Sequence, residues 1–395
     1  MHESEGDAEH VSALPPAFFQ ADLPVTMNGT EFAFLIFSFC CDILLKAETN
    51  QLYQGCEKMK KFMAIPLLFS LISSVFAAPA ANVPDPEVFS AGKKVRDYTG
   101  VFPANVKTIG IFTPGSYPVV KHIMTSVRLL EKAGYKVKIY PNALRPREKS
   151  DVGYYASMPA KYRIQDFEAA WNDREIDMII CCRGGAGTEE VVAGADWSKL
   201  PKRPELYLQG YSAVTSILCA LDGKGYGRPV AGPNVSSLGA LDPGMIPLMK
   251  KMYNGEEVGP FKLTTLVSGD CSGKALAGTL SRFNKVAKTD YNVNIKGRIV
   301  FMESVFCKAD KFRAELTELC NSKFLDGAAG IVFCHLTRGD KLEVLMPILK
   351  EFAPKFNVPV YLGFPYGHHP KNLAIDFSRN VVITNGVLTF PAVKK

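Results

Sequence analysis

The sequence predicts an α/β protein with an N-terminal parallel-sheet domain and a C-terminal α/β domain that has a β-rich end. Short apolar strand patterns alternate with helical patterns between residues 108 and 362, which is typical of parallel sheets. Apolar residues make up 47% of the 395 residues and charged residues 22%, as in proteins with a substantial core. The periodicity weakens and Gly and Pro become frequent between about residues 255 and 270, where we place the link between the domains.

The N-terminal domain is assigned to residues 79–255, with a Pro/Ala-rich leader at its start. Its predicted elements are a strand at 108–115, a helix at 119–133 stopped by Gly134, strands at 136–140, 176–182 and 205–209, a helix at 164–171 and a helix after Ser212. The C-terminal domain is assigned to residues 270–395. Its predicted elements are strands from residue 274, at 298–302, 330–334 and 358–362, helices at 310–321 and 341–352, and two short strands near a turn at Asn385-Gly386.

Residues 59–78 have the pattern of a secretory signal peptide. A basic start at Met59-Lys-Lys precedes an apolar stretch, and small residues follow near Ala78, which is the order that signal peptides show. Residues 1–58 are then a doubtful extension with Met59 as the true start, and the protein is secreted or periplasmic. A membrane-anchored N-terminus through the apolar run 32–45, which contains Asp42, is the alternative. A buried core helix is the third interpretation of that run.

The charge and the cysteines narrow the function classes. Residues 1–58 hold nine acidic residues and two lysines, which gives this segment a net charge of −7. Because the whole chain has a net charge of +7, the remainder carries +14. Neither a dense Lys/Arg run nor a basic-aromatic alternation is present, so nucleic acid is not an expected partner. Seven of the ten cysteines follow residue 58 without regular spacing, which favours buried free thiols over a disulfide framework. One or two bridges remain open if the protein is exported, and no Cys/His spacing indicates a metal site.

Ser212 lies at a strand-to-helix junction, in Gly210-Tyr-Ser212-Ala213-Val. This arrangement resembles a nucleophile elbow, although the second glycine of Gly-x-Ser-x-Gly is absent. A helix N-cap is the alternative role of this serine. The loop Arg183-Gly-Gly-Ala-Gly187 also joins a strand to a helix. Such a loop presents backbone N–H groups to an anion, or it is a plain tight turn.

Glu303 ends an apolar strand, and His368 follows Pro365-Tyr-Gly. A serine nucleophile needs a base, and the base needs an orienting carboxylate. Only four histidines lie beyond residue 78, namely His122, His335, His368 and His369. A strand-end carboxylate facing water is the alternative for Glu303. The chain order Ser, Glu, His makes the set more informative than its members, because all three follow predicted strands of an α/β protein.

At these residues the chain resembles the LD-carboxypeptidase family of serine peptidases, which includes muramoyl-tetrapeptide carboxypeptidases and microcin C self-immunity peptidases. The resemblance covers roughly residues 105–392 and rests on Ile111-Phe-Thr-Pro-Gly-Ser116, on the glycine loop at 183–187, on Gly210-Tyr-Ser212-Ala-Val-Thr215, on Glu303 and on Pro365-Tyr-Gly-His368. It implies a Rossmann/flavodoxin-like first domain and a swivelling-type second domain. It also implies Ser212 as nucleophile, His368 as base and Glu303 as the orienting carboxylate.

The resemblance further implies an oxyanion hole from the backbone of Ala213 and Gly185, substrate binding by Arg183 and Gly184, and no metal or organic cofactor. The sequence departs from the family at three places. The Asp that usually follows the nucleophile is Ala213, the aromatic residue of the glycine loop is Ala186, and Ser281-Arg-Phe-Asn284 stands where Gly-Gly-Asn is usual. These departures leave the triad intact and bear on substrate preference.

Three functions are left open by the sequence. The first is a serine carboxypeptidase that hydrolyses an L,D amide bond and releases C-terminal D-alanine from peptidoglycan-derived tetrapeptides. The second is an amidase that detoxifies peptide-nucleotide conjugates similar to microcin C. The third is a catalytically silent binder of cell-wall fragments. The expected partner is a small peptide substrate. Homodimers are common in the resembled family, so a homodimer is also left open.

Overall fold

The structure is a computed structural model that describes residues 95–153 and 155–394. The doubtful extension, the signal-like segment and the leader to residue 94 therefore lie outside the described residues. Within the described ranges, no helix combines the length and apolar character needed to cross a membrane.

Fourteen strands and nine α-helices lie along the described ranges. The strands are β1 Thr108–Phe112, β2 Lys136–Ile139, β3 Met178–Cys181, β4 Tyr207–Gly210, β5 Arg228–Ala231, β6 Val258–Lys262, β7 Thr264–Val267, β8 Cys271–Thr279, β9 Arg298–Val305, β10 Gly330–Thr337, β11 Val360–Leu362, β12 Ile375–Asp376, β13 Asn380–Thr384 and β14 Val387–Phe390. The helices are α1 Val120–Lys132, α2 Ala160–Asn172, α3 Thr188–Gly194, α4 Thr215–Lys224, α5 Val235–Leu238, α6 Met245–Tyr253, α7 Leu280–Val286, α8 Ala309–Ser322 and α9 Leu342–Phe352.

The first sheet has the strand order β12-β5-β4-β3-β1-β2. Strands β1 to β5 pair in parallel, and β12 joins the edge antiparallel to β5. The order 2-1-3-4-5 is that of flavodoxin-like sheets, in which the strand order reverses between β1 and β3. The central strands β3 and β4 are buried at every residue, as expected for strands with helices on both faces. The predicted α/β parallel-sheet fold is confirmed.

The second sheet has the order β6-β14-β13-β8-β9-β10-β11-β7. Its four central strands, β8 to β11, are parallel, whereas β13, β14, β6 and β7 pair antiparallel at the two sides. The hairpin of β13 and β14 turns at Asn385-Gly386, where both residues have positive φ, as the sequence predicts. These strands form the expected β-rich end.

The segment 255–270, which the sequence indicates as a link, contains β6 and β7. Both are edge strands of the second sheet with half-exposed residue patterns. Their sequences therefore lack the continuous apolar run that identifies the buried strands. Strand β12 was also not predicted, because it contains only two residues.

Local sequence accounts for the helices that flank the first sheet. In α1, the buried residues Ile123, Val127 and Leu130 recur at helical spacing and face the core. The helix ends before Gly134, which takes a φ of +92° that few other residues adopt without strain. The seven described cysteines are all free, and five of them are buried, as their positions in apolar elements predict.

Candidate active site

Ser212 lies on a sharp turn between β4 and α4. Its φ is +63°, a left-handed conformation that costs a non-glycine residue about 1–3 kcal/mol. The neighbouring Gly210 has no room for a side chain, since a Cβ atom there would lie 2.7 Å from Val214 and 2.9 Å from Asn234. Asn234 Oδ1 accepts a hydrogen bond of 3.2 Å from the Tyr211 N–H. The turn is therefore held from both sides and presents the serine at the carboxyl end of the sheet.

The structure brings the three predicted triad residues together. His368 Nε2 lies 3.0 Å from Ser212 Oγ, and His368 Nδ1 lies 2.8 Å from Glu303 Oε2. Because an ionised Glu303 can only accept, it fixes the hydrogen on Nδ1 and leaves Nε2 free to accept the serine proton. The alternative N-cap role of Ser212 is not what the structure shows, because the helix α4 has no side-chain cap.

Glu303 is fully buried and His368 is 5% exposed. Glu303 lies two residues before the end of β9, where it is paired in register with Thr279 of β8. The Thr279 hydroxyl donates a hydrogen bond to Glu303 Oε1, so both carboxylate oxygens have a partner. A buried carboxylate without partners would be strongly destabilising. The strand-end position facing water that we considered for Glu303 is therefore wrong.

The histidine reaches Glu303 because Gly367 precedes it. Gly367 has a φ of +118°, and a Cβ atom there would lie 2.6 Å from the Glu303 Cβ atom. The Gly367 N–H donates to Asn372 Oδ1 at 3.0 Å, which closes the loop that carries the histidine. The Tyr211 ring packs 5.0 Å from the imidazole of His368. These contacts restrict the ring to the orientation that joins Ser212 and Glu303.

Glu303 lies among buried side chains that include a thiol and a phenol. Burial, and then the charge of Glu303, raise the pKa of the Cys334 thiol and of the Tyr366 hydroxyl well above their usual values. Both groups therefore stay neutral at physiological pH. In such a low-dielectric setting, the attraction between Glu303 and an imidazolium at His368 is stronger than it would be in water.

Residues 183–187, called the oxyanion loop after the role that the family resemblance predicts for them, lie close to Ser212. A Cβ atom at Gly184 would lie 2.9 Å from Ser212 Cβ and 3.1 Å from the Ala213 nitrogen, so only glycine fits. Within the described chain, the N–H groups of Ala213 and Gly185 have no hydrogen-bond acceptor. They are the donors that the resemblance predicts for an oxyanion, and that role stays a prediction.

The substrate-binding roles predicted for Arg183 and Gly184 also stay predictions. Arg183 is 4% exposed, and its Nη1 donates to the carbonyl of Tyr117 at 2.8 Å. It thereby ties the oxyanion loop to the turn after β1. Gly184 lies against Ser212, as described above, and its carbonyl accepts from the Ser116 N–H at 2.8 Å.

Three further residues contact the site, although the sequence alone predicts no role for them. Thr279 binds Glu303, and Ser116 Oγ accepts from the Ala186 N–H of the oxyanion loop at 3.0 Å. Arg282 donates to the Gly185 carbonyl at 2.8 Å and to Glu189 at 2.7 Å. Thr279 shares with Glu303 the signal of a polar residue that ends an apolar strand. Arg282 was noted only as a departure from the family.

Three other polar residues in recognisable sequence patterns lie outside the group formed by Ser212, His368 and Glu303. Asn284 donates to the Glu315 carbonyl on α8 at 2.9 Å and has no contact with the triad. Asn234 begins Asn234-Val-Ser236, which matches a glycosylation sequon, but it is fully buried and supports the turn at Ser212. The ring centroids of His369 and His335 lie 4.3 Å apart, so the adjacent histidines 368 and 369 point in different directions.

A serine at the carboxyl end of a doubly wound sheet, in contact with a histidine that is paired with a carboxylate from the second sheet, defines the class of serine-type hydrolases. Family models give a more specific assignment. The model of the LD-carboxypeptidase N-terminal domain matches residues 109–228, and the model of the C-terminal domain matches residues 272–383. The chain belongs to the LD-carboxypeptidase family and is a serine-type carboxypeptidase.

Relatives and solved structures agree with this assignment. The chain is 28% identical over 313 residues to a probable murein peptide carboxypeptidase of Bacillus subtilis, covering 73% of this chain and 95% of that protein. A muramoyltetrapeptide carboxypeptidase structure from Oxalobacter formigenes matches with a TM-score of 0.62 and 20% identity, over 72% of this chain and all of that chain. An MccF-like protein structure from Bacillus anthracis matches with a TM-score of 0.62 and 18% identity, over 74% and 98%. The two structures show a shared fold.

Proposed function

We propose that this protein is an L,D-carboxypeptidase that releases C-terminal D-alanine from peptidoglycan-derived tetrapeptides. The observation that carries the proposal is the continuous hydrogen-bonded chain from Ser212 Oγ through the imidazole of His368 to Glu303, at 3.0 and 2.8 Å. The name of the Bacillus subtilis relative, a probable murein peptide carboxypeptidase, supports the substrate class.

In the acylation step, Ser212 Oγ attacks the carbonyl carbon before the terminal D-alanine. His368 Nε2 takes the serine proton as the new C–O bond forms, and Glu303 stabilises the resulting imidazolium. The carbonyl electron pair moves onto oxygen, which accepts hydrogen bonds from the N–H groups of Ala213 and Gly185. Removing one such donor in a serine protease reduces kcat by about 10²–10³-fold.

Collapse of the tetrahedral intermediate breaks the C–N bond. His368 returns the proton to the leaving amine, so D-alanine departs as a neutral amine group and the peptide remains as an ester on Ser212. Water then enters, gives its proton to His368 Nε2 and attacks the ester. The ester oxygen leaves as the Ser212 hydroxyl with that proton, and the shortened peptide acid is released.

The first test compares the purified protein with its Ser212→Ala variant on L-Ala-γ-D-Glu-meso-diaminopimelate-D-Ala. Free D-alanine is measured by an enzyme-coupled assay. Release by the wild type alone supports the reaction and the nucleophile together. Equal release by the variant would show that Ser212 is not the nucleophile, and no release by either protein would reject this substrate.

The same assay contains an arm for the peptide-nucleotide alternative. An acyl-sulfamoyl adenylate is offered beside the tetrapeptide, and the ratio of the two kcat/KM values decides between the substrates. A fluorophosphonate probe separates a peptidase from a silent binder, because labelling of the wild type, with none of the Ser212→Ala variant, requires an activated serine.

We also propose that the protein is exported after cleavage behind the signal-like segment 59–78. The motivation is the basic start, apolar stretch and small residues of that segment. Export would place the enzyme where wall peptides are found. N-terminal sequencing of the native protein tests this. A start between residues 78 and 82 supports export from Met59, and an intact residue 1 would contradict it.

A further inference from the structure

A cavity of about 340 Å³ lies between the elements of the two sheets, away from the triad. Helix α4 and the chain leading into β5 supply one wall, with Asp222, Tyr226 and Arg228. The start of β8, the start of β9 and the turn after β12 supply the other wall, with Lys274, Arg298 and Ser378. Its volume is within the range of small-ligand sites, about 300–1,000 Å³.

The charges around this interdomain cavity are unbalanced. Arg298 is fully occupied, because it holds Asp222 with Nη2 at 2.8 and 3.0 Å and donates to three backbone carbonyls. Arg228 holds the buried Asp376 through Nε at 2.8 Å and Nη2 at 2.7 Å. Three cations therefore face two carboxylates, which leaves one positive charge in excess.

Two donors of this cavity remain available. In the described part of the chain, the Lys274 ammonium makes no hydrogen bond or close ion pair, although its charge acts on Asp222, and Arg228 holds Asp376 through Nε and Nη2, so its Nη1 group has no acceptor. Arg228 is 32% exposed, so its free edge is accessible to a small ligand but is partly shielded from water. A guanidinium edge and an ammonium that line one cavity are a donor set that binds carboxylate and phosphate groups.

We propose that the interdomain cavity is a second binding site, which takes a small oxyanion-bearing metabolite with a carboxylate or phosphate group. The bound oxyanion accepts from Lys274 and from Arg228 Nη1 and neutralises the excess charge. Arg228 belongs to β5 of the first sheet and Lys274 to β8 of the second sheet. Because the bound oxyanion contacts both side chains, it stabilises the packing of the two sheets against each other.

The position of the cavity connects it to the catalytic elements. Lys274 and Arg298 form the first pair in the register of β8 and β9, and Thr279 and Glu303 form the last. The two pairs are about 16 Å apart, at roughly 3.3 Å per residue. Asp222 lies near the end of α4, whose beginning follows Ser212. An oxyanion in the cavity therefore binds to the opposite ends of the elements that carry the triad, and it cannot be a substrate at the nucleophile.

The test measures binding of inorganic phosphate and of succinate to the full-length protein by titration calorimetry. The Ser212→Ala variant is titrated in parallel, so the result does not depend on the proposed reaction. We expect saturable binding of one or both probes with equal affinity in the wild type and in Ser212→Ala. Binding by phosphate alone assigns the site to phosphate esters, and binding by succinate alone assigns it to carboxylates.

Lys274→Gln is the informative variant, because Lys274 is exposed and holds no partner that would be left unpaired. Lys262→Gln is the matched control, since Lys262 is an exposed lysine of β6 outside the cavity. We expect at least a tenfold increase in Kd for Lys274→Gln, and the wild-type Kd for Lys262→Gln. Absence of saturable binding for both probes, or wild-type affinity in Lys274→Gln, overturns the proposal.

Discussion

Thr279 and Glu303 face each other across two neighbouring parallel strands, and the threonine hydroxyl donates to the carboxylate that is hydrogen-bonded to His368. This contact occupies Glu303 Oε1 and leaves Oε2 for His368. The carboxylate can therefore turn neither away from the imidazole nor towards water. Thr279 acts on the reaction only through Glu303, so it is a positioning residue.

Thr279→Val keeps the shape of the side chain and removes the hydroxyl. A hydrogen bond to a charged group contributes about 1.5–3 kcal/mol, so we expect kcat to fall about 10- to 100-fold on the tetrapeptide, with a small change in KM. Thr279→Ser retains the hydroxyl and should recover most of the kcat. If Val and Ser reduce kcat equally, the hydrogen bond is not what positions Glu303.

Gly367→Ala and Gly363→Ala form a matched pair. Both glycines have positive φ, +118° and +113°, but an added Cβ atom meets Glu303 at 2.6 Å in the first case and nothing within 4 Å in the second. We expect Gly363→Ala to lower stability by the backbone strain alone, about 1–2 kcal/mol, and to retain activity. Gly367→Ala should lower the melting temperature further and reduce kcat by more than 100-fold. Equal activities of the two variants would show that the close approach to Glu303 is dispensable.

Arg282 bridges the second sheet's helix α7 to the oxyanion loop through the Gly185 carbonyl and Glu189. Burial acts to raise the pKa of Glu189, but the charge and hydrogen bond of Arg282, together with a backbone hydrogen bond and Lys285, outweigh it and hold that pKa below its usual value. We expect Arg282→Met to let the loop shift and to reduce kcat about tenfold or more, with KM less affected. Arg313→Met, which breaks an exposed pair with Glu351, is the control and should leave kcat unchanged. A purely structural role for Arg282 would lower the melting temperature without reducing kcat.

His335 makes stability depend on pH. Burial, and then the charge of the stacked His369, lower the pKa of His335 to about 4, with opposing contributions from the Lys371 carbonyl and from Glu303. Burial and the neighbouring Lys371 also lower the pKa of His369. The unfolded chain therefore binds more protons than the folded chain between about pH 4 and 6.5, and stability must decrease as the pH falls through this window.

His335→Gln removes one of the two histidines, His335 and His369, whose lowered pKa values make stability depend on pH. Melting temperatures measured from pH 7.5 to 4.5 should fall less steeply in this variant than in the wild type. The Gln side chain can still donate to the Lys371 carbonyl that His335 Nε2 contacts at 2.8 Å. A wild-type slope in the variant would place the pH dependence on other groups.

Much of the fold follows from patterns in the sequence. Buried parallel strands such as β3 and β9 are continuous apolar runs, and the helix α1 shows one apolar face, so both kinds of element are identifiable without a structure. The edge strands β6 and β7 escaped prediction because their residues are half exposed. A two-residue strand such as β12 has no period at all, and only its partner β5 makes it a strand.

The grouping of Ser212, Glu303 and His368 was predictable for a different reason. The three are reactive residue types at or near the carboxyl ends of strands, where α/β proteins place their binding sites, although the strands belong to two different sheets. Thr279 and Arg282 were not predictable in this way, since their roles depend on the register of β8 with β9 and on a contact between α7 and the oxyanion loop. Register and docking are tertiary properties that a one-dimensional pattern does not contain.

The loop that carries His368 leaves the second sheet at β11 and enters the first sheet at β12. The chain then returns to the second sheet for β13 and β14. The two domains are therefore not independent segments of the sequence that could be exchanged separately. A chimera that joins the first half of one family member to the second half of another would receive a foreign edge strand in its first sheet, and that strand follows closely on the histidine that corresponds to His368. Recombination within this fold must preserve the pairing of β12 with β5 as well as the triad.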